Sequence, residues 1–146
     1  MMIVSIDAVQ PLIGLVVDMP MGVDGDEPVL RRLRQEFEAC GLSEMQESFI
    51  ALHTEYDLNQ AKKQVVFAVQ TDDYSSATHV IGKGRYVQYS GVGDFWVLRE
   101  QLWAKAEAEV SDAERGYTSD FEVYYADGSR RFELYIALKN EESWYE

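Results

Sequence analysis

Polar and apolar positions alternate in short runs along this chain, and twice the alternation gives way to a helical period. Residues 2–19 hold Ile-Val-Ser-Ile and then Leu12-Ile-Gly-Leu-Val-Val17, β-branched and alternating around Pro11. They predict one strand interrupted near Pro11, or two short ones. Next, Leu30, Leu33 and Phe37 recur at helical spacing, with Pro28 suited to the first turn and Gly41 to the stop. Arg31, Arg32, Arg34, Glu36 and Glu38 fall on the opposite side and are expected to face water. Residues 49–56 and 64–70 then read as the two strands of a hairpin.

The order returns. Residues 78–81 and 85–89 are strand-like, and Asp94 caps a second helix. In that helix Phe95, Leu98, Leu102 and Ala106 form one apolar stripe, and Trp96 and Trp103 form a flanking one. A second hairpin follows, with strands at 121–125 and 132–138 around a tight turn at Asp127-Gly128. Strand, helix and hairpin over approximately 2–71 therefore recur over approximately 77–140. One such unit is too small to bury its own sheet, whereas two side by side can share one. The expected fold is α+β: one domain over residues 1–146, a pseudo-duplicated strand–helix–strand–strand unit. Its sheet is mainly antiparallel, with two helices on one face and a central ligand groove on the other.

Alternation also sorts the side chains of the last hairpin. Phe121, Val123 and Tyr125 share one face of their strand, and Glu122 and Tyr124 the other. In the partner strand Phe132, Leu134, Ile136 and Leu138 form an apolar face, from which Glu133 and Tyr135 point away. The groove face is then expected to carry Glu122, Tyr124, Glu133 and Tyr135. Ala51, His53, Glu55, Phe67 and Val69 join them from the first half, with Trp96 and Trp103 at the edge. Aromatic rings with carboxylates suit a flat organic cation, because ring faces attract positive charge and a desolvated acid neutralises it.

Composition narrows the function. The chain has 146 residues, 47% of them hydrophobic and 27% charged, as in ordinary globular proteins. The net charge of −13 opposes nucleic-acid binding, which relies on Lys and Arg, and favours encounter with cations. No apolar run approaches the ~20 residues of a membrane span. The N-terminus has no signal-peptide pattern and Cys40 is the sole cysteine, which together predict a cytoplasmic protein. Cys40 reads as the last core residue of the first helix, with no local base to activate it. His53 and His79 lack metal-ligand spacing, and Gly82-Lys-Gly-Arg85 matches no phosphate loop, so neither metal nor cofactor is expected.

The second half is similar to a known family. The run from Ile81 to Gly91, a helix with Leu102-Trp103, then Phe121-Glu-Val-Tyr124 and a strand ending Ala137-Leu-Lys139 resembles the GyrI-like effector-binding domain. Gly84, Tyr86 and Gly91 complete the pattern, and Val16-Val-Asp-Met-Pro-Met-Gly22 resembles its first strand and loop. The sensor halves of multidrug-responsive bacterial transcription activators belong to the same group. The resemblance implies binding of lipophilic, cationic small molecules in a central aromatic pocket. Its buried acid aligns with Glu122, and Tyr124 and Tyr135 align with lining positions. Trp96, Trp103, His53, Phe67 and Tyr86 complete the expected ligand-binding set. No helix-turn-helix precedes the sensor-like region, so a stand-alone module without direct DNA binding is expected. Two other readings stay open: a hydrolase of reactive small molecules with Glu122 as general base, and a protein-interaction role such as gyrase modulation. A homodimer through an edge strand or Trp144-Tyr145 is also compatible with the sequence.

Overall fold

Alternating segments become strands and the two helical stretches become helices. The computed structural model describes residues 2–20, 27–40, 48–125 and 128–139. Strands β1 (Met2–Ile6) and β2 (Gln10–Pro20) precede helix α1 (Glu27–Ala39) and the hairpin β3 (Ser48–Asp57) and β4 (Lys62–Gln70). Strands β5 (His79–Ile81) and β6 (Gly84–Val92) precede α2 (Phe95–Glu109) and the hairpin β7 (Ser119–Tyr125) and β8 (Arg131–Ala137). Asp26, Gly41, Asp127, Trp144 and Tyr145 lie outside the described residues.

All eight strands form one antiparallel sheet in the order β1-β6-β8-β7-β3-β4-β2-β5. The two hairpins abut at its centre through β3 and β7, where Ala51 pairs with Glu122 and His53 with Asp120. Each half is flanked by a short strand from the other: β1 lies on β6, and β5 lies on β2. These exchanged edges force the sheet to curl. Laid flat, β1 and β2 would stand six strand spacings apart, about 29 Å. The link from Ile6 to Gln10 spans at most about 15 Å. The link from Ile81 to Gly84 imposes the same closure from the other side. Curling brings Val4 and Ile6 of β1 and Gln10 of β2 to one cleft, although their strands stand near opposite ends of the order.

Two apolar clusters result. On one face, α1 packs on β2 and β4, and α2 packs on β6 and β8. Leu30, Leu33 and Phe37 face inward there, as their spacing predicts, over Phe49, Phe67, Tyr124, Leu134 and Ile136. The other cluster is made by strands alone, from Leu12, Ile50, Leu52, Val66, Ala68, Ile81, Tyr86 and Phe121. At Gly14 the backbones approach closely: an added Cβ would lie 2.0 Å from the Phe67 carbonyl oxygen. Cys40 departs from expectation. It is exposed beyond the last turn, and its thiol donates weakly to the Phe37 carbonyl at 3.0 Å. The inward line of α2 also differs. It runs through Arg99, Trp103 and Ala106, while Phe95, Leu98 and Leu102 are half-buried beside it.

The hairpin β7–β8 corrects the expected faces. A two-residue turn at Asp127-Gly128 would set Glu122 opposite Glu133. The observed pairs are Phe121 with Tyr135, Glu122 with Leu134, Val123 with Glu133 and Tyr124 with Phe132. The connection takes left-handed backbone at Gly128 (φ 86°) and Arg130 (φ 58°). A one-residue shift in register turns a whole strand over. Glu122 and Tyr124 therefore face the helices, and Glu133 and Tyr135 face the other way. This register also avoids two like charges in direct opposition.

Candidate functional site

Glu122 is fully buried beneath α2 and is not alone there. Tyr124 donates its hydroxyl to Oε1 at 2.8 Å, and His53 Nε2 lies 2.5 Å from Oε2. Arg99 Nε approaches Oε1 to 2.9 Å, an ion contact without good hydrogen-bond alignment. Burial pushes the Glu122 carboxyl up, but Arg99 and the His53 and Tyr124 hydrogen bonds outweigh it, leaving a pKa of about 2. His53 is driven down to about 3 by burial and then by Lys63, against the pull of Glu122. A neutral imidazole can serve an ionised carboxylate only as a donor, so its proton sits on Nε2. Nδ1 finds no partner among the described residues. Trp103 closes the cluster, its ring 4.9 Å from His53 and 5.4 Å from Lys63 Nζ.

The aromatic site lies beside this cluster, between the helices. A cleft of about 450 Å³ opens there, within the range of small-molecule sites. Its floor is Phe49, Tyr124 and Phe132 on the sheet; α1 contributes Arg34 and Glu38, and the start of α2 contributes Asp94 and Phe95. Phe49 stacks on Tyr124 at 4.8 Å, and Phe95 meets Tyr124 edge-on at 4.3 Å. Gly93 fixes that placement: it takes φ 147°, and its N–H donates to the Arg130 carbonyl at 3.0 Å. The first turn of α2 is thereby pinned to the residues leading into β8. Asp94 stands at the N-cap without a side-chain cap bond. Arg34 reaches into the ring cluster, its Cζ 4.7 Å from the Phe95 centroid and 5.4 Å from that of Phe49.

The expected site residues divide between faces. Glu122, Tyr124, His53, Phe67, Trp96 and Trp103 belong to the helix-covered side. Of these, only Tyr124 lines the cleft directly. Phe67 is core, packed against Phe37 and Phe49. Trp96 packs against Phe95 at the cleft edge, the rings tilted and 4.4 Å apart, beneath Arg31. Tyr135 and Tyr86 lie on the opposite face against Phe121. Tyr86 is held by Gly82 and Ser119. That face has its own cleft, of about 380 Å³, lined by Phe121, Tyr125, Glu133 and Tyr135 among others. Glu133, expected on the groove face, is buried there and bound by Arg131, Tyr125, Gln88 and Tyr135. Arg34, Phe49, Phe95, Arg99 and Phe132 were not among the expected site residues. Arg99 falls on the Trp96–Trp103 stripe, three residues after one tryptophan and four before the other. Arg34 follows Leu30 by one helical turn, beside the buried stripe.

No family model matches the chain, and no curated protein matches it. Solved structures do. An integron cassette protein from the mobile metagenome of Vibrio cholerae superposes with a TM-score of 0.75 at 21% identity, covering 94% of each chain. SAV2435, solved bound to tetraphenylphosphonium, gives 0.68 at 17% identity, over 97% of this chain and 95% of that one. A Staphylococcus aureus protein described as a candidate bacterial transcription regulator gives 0.63 at 15%, over 95% and 97%. The chain shares its fold with all three. Among the described residues, no helix is long and apolar enough to cross a membrane. Nor is any group of three or more His, Cys, Asp or Glu placed to hold a metal ion.

Proposed function

We propose that this chain is a small-molecule-binding domain that senses or sequesters lipophilic organic cations in the cleft between α1 and α2. The observation that carries this reading is the ring cluster of Phe49, Phe95 and Tyr124, which already surrounds one cation, the Arg34 guanidinium. Ring faces that hold a guanidinium also suit a phosphonium or quaternary ammonium group. The lipophilic cation bound to a protein of like fold supports the same chemistry. Glu122 acts from below. It holds the Tyr124 hydroxyl, and so fixes the ring that forms the floor, without touching the ligand itself.

The hydrolytic alternative is less well supported. As a general base Glu122 would need a free oxygen facing water, whereas it is wholly buried, with a hydrogen bond to each oxygen and Arg99 beside Oε1. Titration of tetraphenylphosphonium against tryptophan fluorescence tests the binding reading, since Trp96 adjoins Phe95. Saturable quenching is expected in the native chain. Phe95→Ala is expected to weaken binding about tenfold, in keeping with about 1–2 kcal/mol for a desolvated cation on a ring. No saturable change, or equal affinity in the variant, would remove the cleft from consideration.

A further inference from the structure

The cleft is not simply open, because Arg34 already stands in it. Its Cζ lies 4.7 Å from the Phe95 centroid, 5.4 Å from that of Phe49 and 5.7 Å from that of Tyr124. These three rings come from α2, β3 and β7, so one side chain of α1 joins three other elements of the box. Glu38, one turn along the same helix, takes the Arg34 Nε at 3.2 Å. Glu38 is half exposed, so it can hold the guanidinium at the surface as well as at the cleft mouth. A second arginine repeats the device further along: Arg31 lies over Trp96 at 4.3 Å. Across this cleft α1 meets the start of α2 through cation–π contacts.

We infer that Arg34 is a built-in occupant of the cation site, which an external organic cation binds by displacing. The inference rests on the binding reading above and adds the residue that sets its affinity and selectivity. Two cations cannot share one aromatic box, because each repels the other and both need the same ring faces. Displacement swings the guanidinium outward about its own flexible stem, with Glu38 as the counter-ion that receives it. A ligand must then offer more to the rings than a guanidinium does. Bulky lipophilic cations satisfy this through apolar area, and small hydrophilic ammonium ions do not. The apparent dissociation constant is the intrinsic one divided by the fraction of molecules whose box is vacant. If that fraction is about one tenth, removing the competitor tightens binding about tenfold.

The experiment compares tetraphenylphosphonium binding to the native chain and to Arg34→Met, which keeps the apolar stem and removes the charge. It also follows the Arg34 Nε–Hε resonance of the native chain during the same titration. Binding about tenfold tighter in Arg34→Met is expected. The native resonance should begin displaced by the ring currents and move to the ordinary arginine position in step with saturation. If the native chain binds but the variant binds equally or more weakly, and the resonance stays where it began, Arg34 is a wall of the site and the inference fails while the binding reading stands. If neither chain binds, both fall. Should the variant not fold, the resonance in the native chain decides alone.

Discussion

At the scale of single residues, the buried charges under α2 control one another. Glu122 is stable as an anion because Arg99, His53 and Tyr124 surround it, and its removal would take a buried ion-pair partner from Arg99. Breaking a buried ion pair from one side costs on the order of 3–5 kcal/mol. Glu122→Gln is therefore expected to lose about 3 kcal/mol of unfolding free energy near neutral pH, measured by urea denaturation. The pH dependence has a definite sign. His53 falls from its ordinary 6.5 to about 3, so the unfolded chain binds its proton first and stability declines as pH drops through that window. Glu122 falls from 4.5 to about 2, so its contribution is complete above 4.5 and is lost towards 2. Native stability should thus decrease on acidification from about 6.5, and the decline below 4.5 should be shallower in Glu122→Gln. A native chain equally stable at pH 6.5 and pH 3 would contradict this arrangement. The buried acid was legible from the sequence through the Phe-Glu-Val-Tyr run. Its partner Arg99 was harder to see, because an arginine on a tryptophan stripe reads as a surface charge until a buried anion is known to face it.

At the scale of elements, the repeated order of strands and helices was readable because alternation and helical spacing are local properties. Leu30, Leu33 and Phe37 pointed inward as their periodicity demanded. Faces across a hairpin are a different matter, since they depend on the length of the connection. The residues between Tyr125 and Arg131 place Glu122 opposite Leu134 and Glu133 opposite Val123. Deletion of Ser129 is expected to shift this register by one residue, oppose the two glutamates and turn Leu134 out of the helix-side core. Loss of the cooperative thermal transition, followed by circular dichroism, is the predicted outcome. A folded variant with native melting would show that the register is set elsewhere. The same register explains why the expected groove residues divided: Tyr124 lies under the helices, and Tyr135 stacks on Phe121 at 4.5 Å on the opposite side.

At the scale of the whole molecule, exchanged edge strands curl the sheet, and a cleft opens on each of its faces, one between the helices and one framed by strands alone. The net charge of −13 draws cations towards the molecule without choosing between them. Ring geometry makes the choice. The helix-side cleft joins rings from three elements around a guanidinium, whereas in the strand-framed cleft Tyr135 and Phe121 stack on each other and Glu133 is already bound by its neighbours. The strand-framed cleft lies on the face where alternation leads one to expect a groove, with Glu133 and Tyr135 in its lining, whereas the helix-side cleft depends on how α1 and α2 sit on the curled sheet and was not foreseen. A crystal structure of the chain with tetraphenylphosphonium decides which cleft takes the cation. Phenyl rings of the ligand are expected against Phe95 and Tyr124, with the Arg34 guanidinium turned out of the ring box and still held by Glu38. Ligand found instead against Tyr135 and Phe121, with Arg34 still among its three rings, would contradict this placement.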